Sequence, residues 1–438
     1  MSVDPGHEFL DVLVQLCGQG AVYPPGASYP TIVNRGFVAS YAASGGQSNP
    51  GEIMKCYSPG QLPVLNALAR EFVVCDNWYA SIPGPTWPNR FFVHAASSGG
   101  LDHSPSTQEI VEWESVHGFA FANGTIFDRL HGHGIKWRIY AGDLFPVVAG
   151  LKGIYPTDVH PYSRFLHDVA QSDYPISYTF IEPSYNVLSD YRCSTSQHPL
   201  DDVTRGEGLI KSTYEAIRNS AVWNSSLLII TWDEHGGFYD HVAPPKAVAP
   251  SDTAMRSSSN RYGFTFEQYG VRVPAVVISP LIPRNLIDHR VYDHASIPAT
   301  LEACFGLRPM TQRDANASNL MPLLSLSSPR GDAPAVLPAP AQSGVGGCSP
   351  IVYSAGAMPE ELITPLPVAR PVASVDTGNV PGIMHSALRA DLALSPPEQR
   401  NSIIARFSAI RTRADADRYL SEVRQKMRAA RPVSPTPR

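Results

Sequence analysis

The segment that most constrains the fold of this chain is an apolar run that ends abruptly in charge. Residues 227–231 are apolar up to a final threonine, and Trp232 then leads into Asp233, Glu234, a histidine and two glycines. Such a run is typical of a strand buried on both faces, as in a parallel sheet. Open α/β sheets place their chemistry beyond the carboxyl ends of the strands. The segment therefore predicts an α/β fold with a polar site here, although a strand capped by a charged turn shows the same pattern.

A second segment places one hydroxyl group in a stiff loop. Residues 83–90 hold three prolines and a glycine around Thr86, with Arg90 four residues further on. Prolines restrict the backbone, so the loop can keep Thr86 in one orientation. A threonine hydroxyl becomes a useful nucleophile when a base or a metal lowers its pKa. Alone, the loop is more typical of a rigid structural turn, but with the carboxylate pair it indicates metal-assisted attack on an electrophile.

Three motifs in this order resemble one known family. They are GPTWPNR at residues 84–90, TWDEHGGFYDHV at 231–242 and YGVRVPAVVISPLI at 269–282. They resemble the bacterial phosphoesterase family of phospholipases C and acid phosphatases, in the alkaline-phosphatase-like superfamily. The resemblance extends from about Asp4 to about Leu307. It implies an α/β, three-layer, alkaline-phosphatase-like domain with a mostly parallel central sheet.

The resemblance also implies a metal site and a nucleophile. Thr86 matches a hydroxyl that is both nucleophile and metal ligand in relatives, while Asp233 and Glu234 match ligands of the same divalent ion. Oxygen ligands of this kind suit several ions, so calcium, magnesium, manganese and zinc all stay open.

Histidines supply the other implied catalytic groups. His7 and His198 match histidines that contact the phosphoryl group in relatives, and His241 lies inside the strand-end motif with a less defined role. Imidazoles can donate to phosphoryl oxygens as negative charge develops there. The chain has 14 histidines, and for most of the others a structural role is the better interpretation. These include His131, His133 and His160.

One family motif has no counterpart here. Relatives begin with an apolar strand that ends in a Glu-Asn-Arg-Ser-Phe-Asp-like motif, whose Glu and Asn complete the metal site. This sequence opens at Met1 beyond that point, and no Glu-Asn pair follows an apolar strand in its 438 residues. The loss of a central strand would leave unpaired backbone groups and remove two ligands, so we expect little or no phosphoesterase activity from the chain as it stands. Two interpretations follow: the real gene product is longer, which the intact later motifs favour, or the chain is a truncated, inactive relative.

The implied activity is hydrolysis of phosphate esters, of phospholipase C or acid phosphatase type. Thr86 would form a phosphothreonine, and His7 and His198 would neutralise phosphoryl oxygens or protonate the leaving group. Phospholipids, phosphomonoesters and other diesters all stay open as substrates. The alternative function is that of an inactive relative that only binds phosphorylated ligands or partners.

Composition limits the class of protein. The chain is 43% hydrophobic and 17% charged, with a net charge of -5, as in soluble globular proteins. Slight acidity argues against general nucleic-acid binding, and no run of about 18 apolar residues suggests a transmembrane segment. The first residues do not resemble a signal peptide, and localisation and oligomeric state stay open. The six cysteines lack zinc-site spacing, and we interpret them as mostly buried thiols.

The pattern divides the chain into three parts. Residues 1–325 are predicted to form the phosphoesterase domain, without its first strand. The first 60 residues of this domain are rich in loop signals. Residues 326–394 are a linker or cover segment rich in Pro, Ala and Gly, and 395–438 are a helical tail that docks on the sheet or mediates self-association. A capping box at Ser395 opens the tail, and a second helix follows Thr412. Helices are predicted at 61–71, 125–133, 206–219 and 297–305, and strands at 72–75, 137–140, 176–181, 227–231 and 273–278.

Overall fold

The computed structural model describes residues 1–113, 115–155, 158–252, 258–343, 348 and 366–430. Within these ranges the α-helices are α1 Phe9–Cys17, α2 Phe37–Ala43, α3 Pro63–Glu71, α4 Thr86–Ala95, α5 Thr107–Glu112, α6 Ile126–Gly132, α7 Tyr162–Val169, α8 Thr204–Arg218, α9 Ser296–Phe305, α10 Gln312–Asn316, α11 Val380–Ala393, α12 Arg400–Ser408 and α13 Arg413–Ala430. The strands are β1 Val73–Cys75, β2 Trp137–Ala141, β3 Val159–Pro161, β4 Tyr178–Glu182, β5 Leu228–Thr231, β6 Ala275–Ile278 and β7 Leu286–Asp288. No helix among them is long and apolar enough to cross a membrane.

The strands form two sheets. The first has the order β5-β6-β1-β7, in which β6 is antiparallel to both neighbours and β7 is parallel to β1. The second is all parallel, with the order β3-β2-β4. The predicted α/β class is confirmed, and the helices and strands predicted between residues 61 and 305 are all present. The difference is that the described strands form two sheets rather than one central sheet.

Helices cover both faces of the first sheet because its side chains alternate. Val276 and Ile278 pack against α3 and α8 on one face, whereas Val277 and Ala275 pack toward α9 on the other. The side chain of Ile217 on α8 packs against apolar residues of both β5 and β4. Helix α8 therefore spans the two sheets on one side, and the fold around the first sheet has three layers.

Strands β4 and β5 are the edge strands that face the site. Every residue of β5 and the first four residues of β4 are half-buried. The prediction that the run at 227–231 is buried on both faces is therefore wrong. The physical reason is that β5 pairs with β6 on one side only among the described residues, so its other edge and part of both faces stay accessible.

Both ends of the chain contain helices in ranges predicted to be loop or linker. The loop-rich interpretation of residues 1–60 is wrong for α1 and α2, since Phe9, Val12, Leu13 and Leu16 recur at helical spacing and are buried. The predicted linker range, 326–394, contains α11, which is buried along nearly its whole length. In this helix a Cβ at Gly382 would lie 1.3 Å from the Trp87 ring, so only glycine allows so close an approach.

The helical tail is present, with one altered cap. Helices α12 and α13 pack with α11, and the helix predicted after Thr412 is confirmed as α13, with the Thr412 hydroxyl accepting from the amide of Asp415. The capping box at Ser395 is not formed, because its hydroxyl donates to the carbonyl of Asp391 at the end of α11. Helix α12 accordingly begins later, at Arg400.

The cysteines also require a correction. Cys193 and Cys348 form a disulfide with their Cα atoms 5.6 Å apart. Cys56 and Cys304 are exposed free thiols, and Cys75 is buried. The prediction of mostly buried thiols is therefore wrong, because cysteine spacing in the sequence carries no information on a pairing between residues 155 positions apart.

Candidate active site

Thr86 lies at the first position of α4, at the end of the stiff loop that follows β1. Its side chain is buried, with 5% of the residue exposed. Asn89 fastens the loop: its carbonyl oxygen accepts from the amide of Ile82 at 3.0 Å, and its amide donates to the carbonyls of Gly84 and Pro85 at 2.9 and 3.0 Å. The helix N-terminus adds a partial positive charge, which favours an anionic group at this position.

Arg90 connects α4 to the ends of both edge strands. Its Nε donates to Oδ2 of Asp233 at 2.9 Å, just beyond β5, and its Nη1 lies 3.6 Å from Oε1 of Glu182, the last residue of β4. Burial opposes ionisation of Asp233, but the attraction of Arg90 lowers the pKa of Asp233 below its ordinary value. Asp233 is thus an anion held by a buried cation one turn after Thr86.

Glu234 and His7 influence each other electrostatically. Burial raises the pKa of Glu234 to about 7, with repulsion from Asp233 adding to the shift and His7 opposing it. Burial disfavours a charged imidazole, but nearby carboxylates, led by Glu234 and Asp4, raise the pKa of His7 to about 10. The Nδ1 of His7 donates to the carbonyl of Pro5 at 2.8 Å, so Nε2 carries the second proton. His7 is therefore a cation at neutral pH.

His198 is neutral although it lies close to His7. The two ring centroids are 6.0 Å apart, and the His198 ring stacks on Tyr191 at 3.4 Å with a 4° interplanar angle. Burial, with repulsion from His7, lowers the pKa of His198 well below its ordinary value. Its Nδ1 accepts from the amide of Leu200 at 3.4 Å, which leaves the proton on Nε2. That Nε2 lies 3.6 Å from Oδ1 of Asp4, beyond hydrogen-bond distance, and is thus a free buried donor.

Five of the six predicted residues are linked by these contacts and by a short chain of neighbours. Asn379, just before α11, donates from its side chain to Oγ1 of Thr86 at 3.4 Å and from its backbone to the hydroxyl of Tyr191 at 3.3 Å. Tyr191 in turn stacks on His198. The five are Thr86, Asp233, Glu234, His7 and His198.

His241 does not join them. Its side chain is 76% exposed, and its Nδ1 lies 3.5 Å from Oδ1 of Asp240. Asp240 is itself held by two hydrogen bonds from Arg272, at 2.7 and 2.8 Å. The catalytic role predicted for His241 thus finds no support in its position.

Sequence reasoning missed several residues around the site. His294 donates from Nε2 to the carbonyl of Asp233 at 2.7 Å and accepts at Nδ1 from the indole of Trp78 at 3.3 Å, so it fixes the backbone at the carboxylate pair. Glu182 had a signal, because it ends a predicted strand. Asn379 had none, because it lies in the range that composition marks as a linker.

The two carboxylates are the type of ligand that a divalent ion prefers, but they are too few to form a metal site by themselves. Asp233 and Glu234 are adjacent carboxylates with 18% and 7% of their side chains exposed, and burial is the main cause of the raised pKa of Glu234. Within the part of the chain that the structure describes, no group of three or more His, Cys, Asp or Glu side chains is arranged to hold a metal. An ion here would need a further protein ligand, and the resemblance to relatives implies the Thr86 hydroxyl for that role.

Comparison with known proteins settles the family. The model of the Phosphoesterase family matches residues 1–308. The chain belongs to this family. The chain is 37% identical to non-specific phospholipase C6 of Arabidopsis thaliana over 351 residues, which are 76% of this chain and 64% of that protein. It is 35% identical to non-specific phospholipase C3 of the same plant, with the same coverage.

More distant relatives are bacterial. Phospholipase C B of Mycobacterium tuberculosis is 27% identical over 318 residues, covering 65% of this chain and 58% of that protein. The chain thus spans less than two thirds of the length of these curated relatives. Among solved structures, a protein in the alkaline phosphatase superfamily from Vibrio parahaemolyticus matches with a TM-score of 0.34 and 19% identity, over 59% of this chain and 64% of that one.

Proposed function

We propose that this chain hydrolyses phosphate esters, with a phospholipid as the first substrate to test, through Thr86 as the nucleophile. The observation that carries the proposal is the buried Thr86 hydroxyl at a helix N-terminus. Asn379 and Tyr191 link it to the neutral His198, which lies beside the cationic His7. The phospholipase C names of the relatives favour a phospholipid. Acid phosphatase-type hydrolysis of a monoester uses the same chemistry and is an arm of the same test.

The first step forms a bond from Oγ1 of Thr86 to phosphorus and breaks the bond from phosphorus to the leaving oxygen. The hydroxyl proton passes to solvent, and the His7 imidazolium gives its Nε2 proton to the leaving oxygen. His198, which is neutral, donates a hydrogen bond from Nε2 to a phosphoryl oxygen. The helix N-terminus at Thr86 favours the charge on the remaining oxygens.

The second step reverses these roles. Water attacks the phosphothreonine, and neutral His7 accepts the proton of that water. The bond between phosphorus and Oγ1 breaks, and Thr86 regains a proton from solvent. Phosphate leaves from a monoester, and a phosphorylated head group leaves from a phospholipid.

A divalent ion is a further part of the proposal. Thr86, Asp233 and Glu234 would hold it, and it would supply Lewis-acid activation of the hydroxyl. Asp233→Asn should then lower the metal content of the purified protein, measured by elemental analysis, while Asp240→Asn should leave it unchanged because Arg272 already holds Asp240. Equal metal content in both variants would mean that the pair has only a structural role.

The nucleophile is tested by Thr86→Ala. We expect the rate with p-nitrophenyl phosphate and with phosphatidylcholine micelles to fall at least about 10³-fold, because the proposed ester intermediate forms on the Thr86 hydroxyl. Acid-quenched wild-type protein should carry a phosphothreonine that the variant lacks. Thr213→Ala is the matched control, since Thr213 is a buried threonine whose hydroxyl bonds Tyr162 on the far side of α8. Near-normal turnover by Thr86→Ala would refute the assignment.

The alternative, phosphate binding without turnover, is favoured by the lack of a third carboxylate or histidine ligand in the described residues. It predicts that wild-type protein binds inorganic phosphate in calorimetry while showing no phosphothreonine. The quench experiment separates the two functions directly.

A further inference from the structure

Asn379 is the residue outside the matched family region that touches the proposed nucleophile. It lies 71 residues beyond the last matched position, 308, and only 4% of it is exposed. Its side-chain amide donates to Oγ1 of Thr86 at 3.4 Å. A buried amide that donates to a reacting oxygen is the arrangement of an oxyanion-type donor.

The position of Asn379 is fixed by close packing of α11. Pro381 sits in the first turn of the helix, and Gly382 lies so close to Trp87 that a Cβ would be 1.3 Å from a ring carbon. Trp87 directly follows Thr86 in the chain. The helix that carries Asn379 is therefore anchored on the residue beside the hydroxyl that Asn379 contacts.

The same region of the chain also holds the other side of the site. The backbone of Asn379 donates to the hydroxyl of Tyr191, and Tyr191 stacks on His198. Arg370 donates to Asp190 at 2.6 Å, and Arg413 donates to the same carboxylate. Asn379 and Tyr191 thus link the proposed nucleophile, Thr86, to His198.

We propose that Asn379 is a catalytic residue, which donates a hydrogen bond to Oγ1 of Thr86 as negative charge develops there. The inference rests on the proposed role of Thr86 and adds a group from the C-terminal region to the same site. During attack the amide stabilises the alkoxide character of Oγ1, and when the phosphothreonine breaks it stabilises the same oxygen as a leaving group. No proton is transferred from the amide at either step.

The decisive variant is Asn379→Asp, compared with Asn379→Ala. Aspartate has nearly the same shape as asparagine, but its carboxylate accepts hydrogen bonds and repels an alkoxide. Because only 4% of Asn379 is exposed, a purely structural role would show as a lower melting temperature, whereas loss of a catalytic donor lowers kcat in protein that stays folded. We expect kcat to fall about 10²–10³-fold in both variants, with KM changed little. Ser386→Ala is the control, since Ser386 lies on the same helix and its hydroxyl donates to Pro146 at 2.7 Å, away from Thr86.

A second measurement keeps the test independent of turnover. A double-mutant cycle of Thr86→Val and Asn379→Ala, read as melting temperatures of the full chain, should be non-additive because the two side chains share a hydrogen bond. If wild-type protein shows no hydrolysis, the proposed function fails and the cycle still tests the contact. If wild type is active while Asn379→Asp keeps wild-type kcat, the Asn379 proposal is overturned and the proposed function stands. Additive melting shifts would also overturn it.

Discussion

At the scale of single residues, the site contains two histidines whose environments keep one protonated and the other neutral. His7 faces the carboxylates of Glu234 and Asp4, so its imidazole stays protonated. His198 is buried against Tyr191 and repelled by His7, so it stays neutral. This division suits acid catalysis, because a cation can give up a proton to a leaving oxygen whereas a neutral imidazole only donates a hydrogen bond.

The charge of His7 leads to a prediction for pH dependence. Because the pKa of His7 is raised to about 10, hydrolysis should fall as pH rises through about 10. His7→Gln keeps an amide donor but cannot transfer a proton, so it should lower the rate about 10²–10⁴-fold and abolish this alkaline limb. His133→Gln is the control, since His133 lies on the surface and bonds only the carbonyl of Arg129 among its described contacts.

The same shift fixes a sign for stability. A histidine with a raised folded pKa contributes stability that is fully present below its unfolded pKa of 6.5 and is lost as pH rises through about 10. The free energy of unfolding should therefore decrease between these values more in wild type than in His7→Gln. Parallel curves in chemical denaturation would mean that His7 is not a buried cation.

Local sequence singled out residues whose motifs suit the proposed chemistry. Thr86, Asp233 and Glu234 were indicated by a stiff loop and a strand end. The structure buries Thr86 and leaves 7% of the Glu234 side chain and 18% of the Asp233 side chain exposed. His241 shows the limit, because its neighbour Asp240 is held by Arg272, 32 positions further on, and the imidazole is left in solvent. Side-chain direction depends on such distant partners, which no local pattern contains.

At the scale of elements, the spacing of apolar residues and the composition were sufficient to predict the regular helices and strands inside the domain. Helix α8 and strand β6 were predicted from apolar spacing and are present. Helix α11 was missed because its first residues, Val380, Pro381 and Gly382, look like a break. Proline is nevertheless suited to the first turn of a helix, and the glycine is required by contact with Trp87.

The difference between edge and interior strands leads to a second prediction. Ile278 on β6 is fully buried, whereas Ile230 on the neighbouring β5 is half-buried against the same helices. Ile278→Ala should lower the free energy of unfolding by about 2–5 kcal/mol, as for a buried isoleucine. Ile230→Ala should cost less than half as much, because less apolar surface leaves water there on folding.

Denaturant midpoints of the two variants measure this difference, with hydrolysis rates as a check that the fold is retained. Since the two isoleucines have the same size and face the same cluster, burial is the main variable between them. Equal losses of stability would mean that β5 is covered in solution by a further polypeptide segment.

At the scale of the whole molecule, the C-terminal region is a part of the site rather than an appendage. Asn379 contacts Thr86, while Arg370 and Arg413 hold Asp190 beside Tyr191. The cover segment also packs on the domain, where the carbonyls of Ala333 and Pro334 accept from Arg218 and Tyr214 of α8. Composition alone predicted a linker here, because proline-rich sequence lacks periodicity whether or not it packs against a neighbour.

The last prediction concerns the two arginines on Asp190. Arg413 is buried, with 6% of its side chain exposed, whereas Arg370 is largely in solvent. Asp190→Ala would leave Arg413 without its carboxylate, at a cost of about 1–3 kcal/mol for an unsatisfied buried group. The loop that carries Tyr191 and His198 would lose its anchor at the same time, so kcat should fall as well as the melting temperature.

Asp332→Ala is the matched control for this prediction. Asp332 also pairs with an arginine, Arg330, at 2.8 Å, but its side chain is exposed and lies away from the site. Exposed pairs contribute little to stability, so this variant should keep both its melting temperature and its kcat. A drop in melting temperature alone in Asp190→Ala would mean that the arginines stabilise the fold without positioning His198. A fall in both quantities is expected if the C-terminal region holds the site together, since the anchored loop carries His198, the proposed donor to the phosphoryl group.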